Sequence, residues 1–348
     1  MRTFDYSFLN KGMLPAKLVN LTSGVASLKT MAGVRKEEYA RIFTELESIA
    51  RVQSVKSSNA IEGIVTSDER IRAIVEQNSA PLNHDEAEIA GYRDALNAVH
   101  RGYAAMDFRE SDILRLHELL MSVAGYAYGG QYKTDNNLIL EVDAQGERRV
   151  RFRPTPAAET PRAMQQLQLA YIAARDDAGI DQLLLIPCVI LDFLCIHPFN
   201  DGNGRMSRLL TTLLLYKSGF TVGRYISLEA KIAKDKGLYY DALARSQNGW
   251  HEGRENAVPF IKYLLGTVLA AYRDLDERLC LVEAKLSALE MVRRASLLKL
   301  GRFTKQDIRE LCPSLSDSSI EGAFRHLVAS GELQREGRGK STRYFRTN

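Results

Sequence analysis

This sequence predicts a mainly α-helical protein, interrupted by one β-hairpin and closed by a small unit of two helices and a second hairpin. Three observations predict it. Long stretches carry apolar residues at helical spacing. A single segment, "LILEVDAQGERRVRFRP" from Leu138 to Pro154, alternates apolar and polar residues about "DAQGE", the pattern of a hairpin. From about residue 303 the pattern changes to two short helices separated by "CPSLSD", followed by "GELQREGRGKSTRYF", two strands about a Gly-rich turn. At 348 residues the chain has length for roughly two domains of about 150 residues and for a sizeable core.

The elements follow in order. Glu37 to Ser58 has helical apolar spacing, as do Asp85 to Arg101 and Ser111 to Val123; Ser111 and Asp112 are the expected N-terminal caps of the last. After the hairpin, helices resume from about Thr160. Leu183 to Ile196 is apolar almost all round, so it is expected as a central buried helix. Pro187 is placed near its first turn, where proline is tolerated. "MSRLLTTLLLYKSGF" reads as another buried helix ending near Gly219. Ala284 to Leu300 reads as a linker helix. Helix, turn, helix and basic hairpin is the layout of a winged helix, with Ser316 to Ser330 as its recognition helix. "AIEG" and "SIEG" look alike but one short match is no repeat.

Composition narrows the function classes. Apolar residues are 45% and charged residues 26%, ordinary for a soluble globular protein. "MRTFDYSFLNKG" has no apolar signal-peptide region. The longest apolar run, "LLLIPCVILDFLCI", is too short for a bilayer and contains Asp192. A cytoplasmic protein without a membrane partner is expected. Cys188, Cys195, Cys280 and Cys312 show no paired or metal-binding spacing, so reduced, buried thiols are expected. From Arg293 onward there are twelve Lys/Arg and six Asp/Glu, +6 in a chain of +4, which leaves −2 for the rest. Such asymmetry points the tail towards something anionic.

The chemistry concentrates in "HPFNDGNGRMSR", residues 197–208. Pro198 ends the apolar helix at His197. Gly202 and Gly204 allow backbone geometries closed to other residues, and the next helix begins there. A helix N-terminus fed by a Gly-rich turn is an anion site, because free amides and the dipole both favour negative charge. Asn203 adds an amide donor. Arg205 and Arg208, at i and i+3, share a face, and guanidinium forks suit phosphate oxygens. Asp201 would repel phosphate without a cation, and Mg²⁺ uses one or two carboxylates plus phosphate oxygens. His197 titrates near neutrality and is the natural general base for an attacking hydroxyl. Phe199 reads as a buried anchor. Taken singly, each feature is ordinary structure: a helix-end histidine, a turn, a solvated arginine pair. Together they read as a polyphosphate cradle.

The pattern resembles the Fic family signature, HPFx(D/E)GNGRxxR, with every fixed position matched. The likeness covers roughly residues 30–270. It implies a mostly helical core that transfers AMP from ATP to a hydroxyl side chain of a target protein, releasing pyrophosphate. It implies His197 as base, Asp201 as Mg²⁺ ligand, Gly202, Asn203, Gly204 and Arg205 at the α- and β-phosphates, and Arg208 at the γ-phosphate. Related Doc-type kinases carry a bulkier residue, usually lysine, at the Gly202 position, so glycine favours nucleotidyl over phosphoryl transfer. "SSNAIEGI" is similar to the family's inhibitory motif, (S/T)xxxE(G/N), with Ser58, Glu62 and Gly63. The resemblance implies that Glu62 pairs with Arg208 and blocks productive seating of the γ-phosphate, and in some members the same glutamate supports removal of AMP. Taken alone, the segment is simply a helix ending before a glycine. The hairpin resembles the family's flap, which holds the target by strand addition, with Val150, Arg151 and Phe152 in its second strand. In "GLYYDALARSQNGW", Tyr239 or Tyr240 is implied to line the base pocket, although paired aromatics on a helix are more often core.

The division that follows is residues 1–110 as a helical region with the inhibitory helix at about 45–63, 111–275 as the catalytic core with the flap at 138–154, and 276–348 as the linker helix and winged helix. The wing "GRGKSTR" is suited to phosphates. Glu321 and Glu332 among the basic residues favour protein docking over DNA. The competing reading is a nucleotide-sensing DNA-binding regulator. Self-modification and a homodimer are further expectations, since exposed helices in such folds often pair. UTP, GTP and CDP-choline are the alternative donors.

Overall fold

The computed structural model describes residues 3–11, 13–142, 148–283, 286–297, 299 and 301–346. Two long helices open the chain, α1 (Ala16–Glu38) and α2 (Ala40–Ile61), broken at Tyr39. Helix α2 buries Ile42, Phe43, Leu46, Ala50, Ser54, Val55, Ser58, Asn59 and Ile61, one face at i, i+3, i+4 spacing. It ends at Glu62 because Gly63 takes a left-handed φ of 87°, and the Gly63 and Ile64 amides fold back on the carbonyls of Ala60 and Asn59. Helices α3 (Asp68–Glu76) and α4 (His84–Gly102) start at side-chain caps, Ser67 and Asn83. Helix α5 (Glu110–Ser122) does not start as expected. Its cap position is Arg109 with no side-chain cap bond, and Asp112 instead accepts from the Asp107 amide and from Arg109.

The hairpin pairs β1 (Ile139–Val142) with β2 (Arg148–Phe152) in antiparallel register, Leu140 opposite Val150. The expected turn "DAQGE" lies outside the described residues. Helix α6 (Thr160–Arg175) leads to α7 (Gln182–Ile196), buried at every position from Leu183 on. Pro187 sits at its sixth residue, inside the helix and not in the first turn. One carboxylate lies in this apolar helix. Asp192 accepts from Tyr6 Oη at 2.7 Å and Trp250 Nε1 at 2.6 Å, which meets the requirement that a buried acid be hydrogen-bonded. Helices α8 (Asn203–Lys217), α9 (Leu228–Lys234), α10 (Lys236–Gln247) and α11 (Val258–Glu283) complete the main body.

A second, separate core contains Val292, Phe303, Ile308, Ile320, Phe324 and Leu333. Around it lie α12 (Ala288–Leu297), α13 (Lys305–Leu311), α14 (Asp317–Ala329) and an antiparallel pair, β3 (Leu333–Glu336) with β4 (Arg343–Arg346), to which Phe303 adds a bridge at Tyr344. The expected linker helix is interrupted, with α11 ending at Glu283 and α12 starting at Ala288. Among the four cysteines, Cys188, Cys195 and Cys312 are buried but Cys280 is exposed, a correction to the expectation that all four are interior. No helix among the described residues is long and apolar enough to cross a membrane.

Candidate active site

The site begins where α7 ends. His197 has φ 52° and its amide donates to the Phe193 carbonyl at 2.9 Å. A left-handed non-glycine residue is uncommon and carries strain that the surroundings must hold. They do so through Phe199, fully buried and stacked on the His117 ring at 3.7 Å. His117 Nδ1 accepts from the Gly130 amide at 3.0 Å, so its proton lies on Nε2, which donates to the Asp201 carbonyl at 3.1 Å. Burial pushes His117 down to about 4, which keeps this arrangement neutral. Gly202 has φ 80°, and a Cβ there would lie 2.5 Å from the Met121 methyl. A side chain there would strain the left-handed backbone and push the Met121 methyl aside. The loop thus delivers the first turn of α8, starting at Asn203, with its amides open.

At the other side of α8 stands Arg208, 5% exposed. Its Nε donates to Ser58 Oγ at 2.8 Å, and Nη2 donates to the Ser58 carbonyl at 2.9 Å and to Glu62 Oε1 at 2.7 Å. Glu62 reaches it across Gly204, where a Cβ would stand 2.3 Å from Oε1. The two segments noted in the sequence, more than 130 residues apart, therefore meet in one contact. Behind it is a buried acid: Glu229 accepts from Tyr92 Oη at 3.1 Å, Ser54 Oγ at 2.7 Å and Ser227 Oγ at 3.1 Å. This network joins α2, α4 and α9 at the level of Arg208.

A cavity of about 330 Å³ lies between these parts, lined by Glu62, Leu140, Arg151, His197, Gly204, Arg208, Tyr239, Tyr240, Leu243 and Gln247 among others. Its size is in the range of small-molecule sites. Tyr239 and Tyr240 both reach it, with ring centroids 5.2 Å apart. Arg151 of the flap lies over the Tyr240 ring at 5.3 Å. Phe152 turns the other way, stacked on His251 at 5.4 Å, and Val150 is exposed. The outer side of β2 borders a larger groove, about 990 Å³, whose far wall includes Arg245, Trp250 and Glu252.

His197 is held neutral. Burial, then the positive charges of Lys133 and Arg151, push it down to about 3. Lys133 is itself buried, its ammonium donating to Asn137 Oδ1 at 2.9 Å and to the Ile196 carbonyl at 3.1 Å. Desolvation lowers it to about 8.

The side chains of two expected phosphate ligands meet protein groups in this structure. Asn203 is 2% exposed and closes the loop: Oδ1 accepts from the Phe199 amide at 3.0 Å and Nδ2 donates to the Phe199 carbonyl at 2.8 Å. Arg205 is 1% exposed and turned to α4, with Nη1 2.6 Å from Glu88 and Nη2 3.2 Å from Asp201. It does not line the cavity into which His197 and Arg208 open. Asp201 is 54% exposed. Among the described residues no three His, Cys, Asp or Glu side chains cluster as metal ligands.

The sequence reading missed His117, Lys133, Asn137, Tyr92, Glu229 and Gln247. Lys133 and Asn137 stand in "GGQYKTDNN", just before the flap. Gln247 is 3% exposed with both amide atoms lacking a hydrogen-bond partner. A buried amide aimed into a cavity is a feature no residue pattern reveals.

Fold and site define a helical protein built around an anion-receptive helix N-terminus, with a histidine on one wall and a masked arginine on the other. Residues 107–215 match the Fic/DOC family, so this part of the chain is a Fic domain. It is 25% identical over 224 residues to a protein adenylyltransferase Fic of Nematostella vectensis, covering 62% of this chain and 46% of that one. It is 26% identical over 169 residues to a protein adenylyltransferase of Caenorhabditis elegans, covering 46% and 31%. The chain thus spans less than half the length of these curated relatives. A solved Fic family protein from Desulfovibrio desulfuricans shares the fold with a TM-score of 0.62 at 22% identity, over 97% of both chains.

Proposed function

We propose that this Fic-domain protein transfers AMP from ATP to a hydroxyl side chain, Ser, Thr or Tyr, of a target protein or of itself, and that Glu62 holds it inactive. The observation that carries the reading is the single cavity shared by His197, the α8 N-terminus at Gly204, Arg208 and Glu62. The phosphates would lie on the free amides of the first turn of α8, where dipole and N–H groups favour anions. The γ-phosphate would take Arg208 from Glu62. The target oxygen forms its bond to the α-phosphorus while the bond from that phosphorus to the oxygen bridging the β-phosphate breaks. The electron pair leaves with pyrophosphate, and the hydroxyl proton passes to His197, whose neutral ring can accept it.

Asp201 would hold Mg²⁺. It is one exposed carboxylate beside the cradle, and without a cluster of further ligands it would depend on phosphate oxygens, as Mg²⁺ sites commonly do. The ion would neutralise charge on the leaving phosphates. The base would stack against Tyr240, with the unpartnered Gln247 amide, both donor and acceptor, towards its edge. The flap, bordered by the 990 Å³ groove, would align the target.

Incubation with labelled ATP tests the reading in wild type, Glu62→Gly and His197→Ala. Label on protein should rise in Glu62→Gly and vanish in His197→Ala. Absence of label in Glu62→Gly with ATP, UTP, GTP and CDP-choline favours the second reading, a nucleotide-sensing DNA-binding regulator. The order of three helices and a hairpin in the C-terminal unit supports a winged helix there. Several basic residues outside the wing, however, are paired with acids: Arg293 with Glu332, Arg302 with Glu336, Lys305 with Glu321 and Arg309 with Asp317. That pairing reduces the charge available to phosphates and favours protein docking.

A further inference from the structure

We propose that Asn137 is a positioning residue that holds the His197 ring in the tautomer with its proton on Nε2, so that the base is disarmed in the resting protein separately from Glu62. The inference rests on the reading of His197 as general base.

Asn137 lies two residues before β1, and its amide orientation is fixed from two sides. The Lys133 ammonium, which can only donate, is 2.9 Å from Oδ1. The Phe199 carbonyl, which can only accept, is 3.0 Å from Nδ2. A flipped amide would set its NH₂ against an ammonium and its oxygen against a carbonyl. Lys133 is not free to adjust, since its Nζ also donates to the Ile196 carbonyl and its backbone amide to the Pro198 carbonyl at 2.9 Å. The end of Asn137 that faces His197 is therefore the donor, with Nδ2 3.0 Å from Nδ1.

A donor at Nδ1 requires a lone pair there. A neutral imidazole has one N–H, so the proton lies on Nε2. His197 lines the cavity and its Nδ1 is occupied by Asn137, which leaves Nε2 as the nitrogen available to a ligand. An Nε2–H can donate to a phosphate or alcohol oxygen but cannot remove a proton. Arming the base requires the ring proton to move to Nδ1 and the Asn137 contact to give way. Glu62 contacts Arg208 and not this amide, so displacing Glu62 by itself leaves the ring tautomer unchanged.

Two measurements test this. The full chain labelled with ¹⁵N-histidine has six histidines, and comparison with His197→Gln assigns the ring of interest in long-range ¹H–¹⁵N spectra. At neutral pH the wild-type ring should show an unprotonated Nδ1 and a protonated Nε2, and Asn137→Asp, whose carboxylate can only accept, should reverse them. A wild-type ring protonated on Nδ1 overturns the proposal. In the second, Asn137→Asp with Glu62→Gly is compared with Glu62→Gly alone, after melting curves establish that both fold. Label transfer should be roughly fivefold faster in the double variant, the size of one net hydrogen bond. An equal or slower rate in the folded double variant overturns the brake. If Glu62→Gly alone transfers no label, the transferase reading fails, and the spectrum then decides the tautomer on its own.

Discussion

Glu62→Gln isolates the charge of the proposed brake from its shape. Glu62 Oε1 lies 2.7 Å from Arg208 Nη2, and its side chain is 31% exposed. A hydrogen bond between charged partners contributes about 1.5–3 kcal/mol net and a neutral one about 0.5–1.5. Glutamine keeps the length and an acceptor oxygen, so it should lose about 1–1.5 kcal/mol of the contact. A γ-phosphate competing for Arg208 would then displace it roughly five- to tenfold more easily. Glycine removes the whole contact, which corresponds to roughly 10- to 150-fold. Arg208 keeps both Ser58 bonds in either variant, so the fold should survive. The assay is the initial rate of label incorporation over a range of ATP concentrations, read for wild type, Glu62→Gln and Glu62→Gly. The expected order is wild type slowest, glutamine intermediate, glycine fastest. Glutamine no faster than wild type, with glycine fast, would refute the reasoning, because the brake would then lie in bulk and not in competition for the guanidinium.

Gln247→Leu should raise the melting temperature, because two unpaired buried amide atoms cost about 1–3 kcal/mol, and should lower the preference for ATP over GTP roughly tenfold in competition assays. Gly202→Ala should destabilise by about 1–2 kcal/mol in denaturant melts and slow transfer, since a side chain is disfavoured on the left-handed backbone and its Cβ must displace the Met121 methyl, 2.5 Å away. Stability should fall on acidification. His100, His117 and His197 are pushed chiefly by burial to about 3, about 4 and about 3, so below the ordinary value near 6.5 the unfolded chain binds protons that the folded chain does not. Their contribution is intact above about pH 6.5 and is lost as pH falls towards 4, by up to about 1.4 kcal/mol per histidine per pH unit; a flat urea midpoint between about pH 7 and pH 5 would contradict it.

What was legible in the sequence is what covalent neighbours decide. Pro198 ends α7, Gly202 turns the chain and the α8 amides follow, all within eight residues, so no distant partner is needed to place them. The end of α2 was legible for the same reason, since Gly63 supplies the left-handed turn that stops the helix beside Glu62. The partner of each polar side chain was not. Ser111 can cap a helix, but α5 begins one residue earlier. Asn203 offers the same amide to a phosphate or to the Phe199 backbone, and it takes the backbone in both directions. His117, Asn137 and Gln247 act through groups on other elements, and their spacing carries no signal.

The two arginines show why spacing falls short. Arg205 and Arg208 stand at i and i+3, near enough on a helical wheel to share a ligand. Yet α8 is buried nearly all round, and small angular differences there select different neighbours. Arg205 meets Glu88 near the start of α4, a carboxylate only 9% exposed. Arg208 meets Glu62 past the last turn of α2, 31% exposed. Withdrawing the partner of a buried charge costs about 3–5 kcal/mol unless another anion replaces it. Glu88 is nearly buried and also held by Tyr126 and His84, so its pair with Arg205 reads as a strut under the loop. Glu62 stands at a helix end against the cavity and can yield its place to a phosphate without leaving either charge unpaired. The burial of the carboxylates, more than the positions of the arginines, thus sets which of the two ion pairs the proposed nucleotide would open.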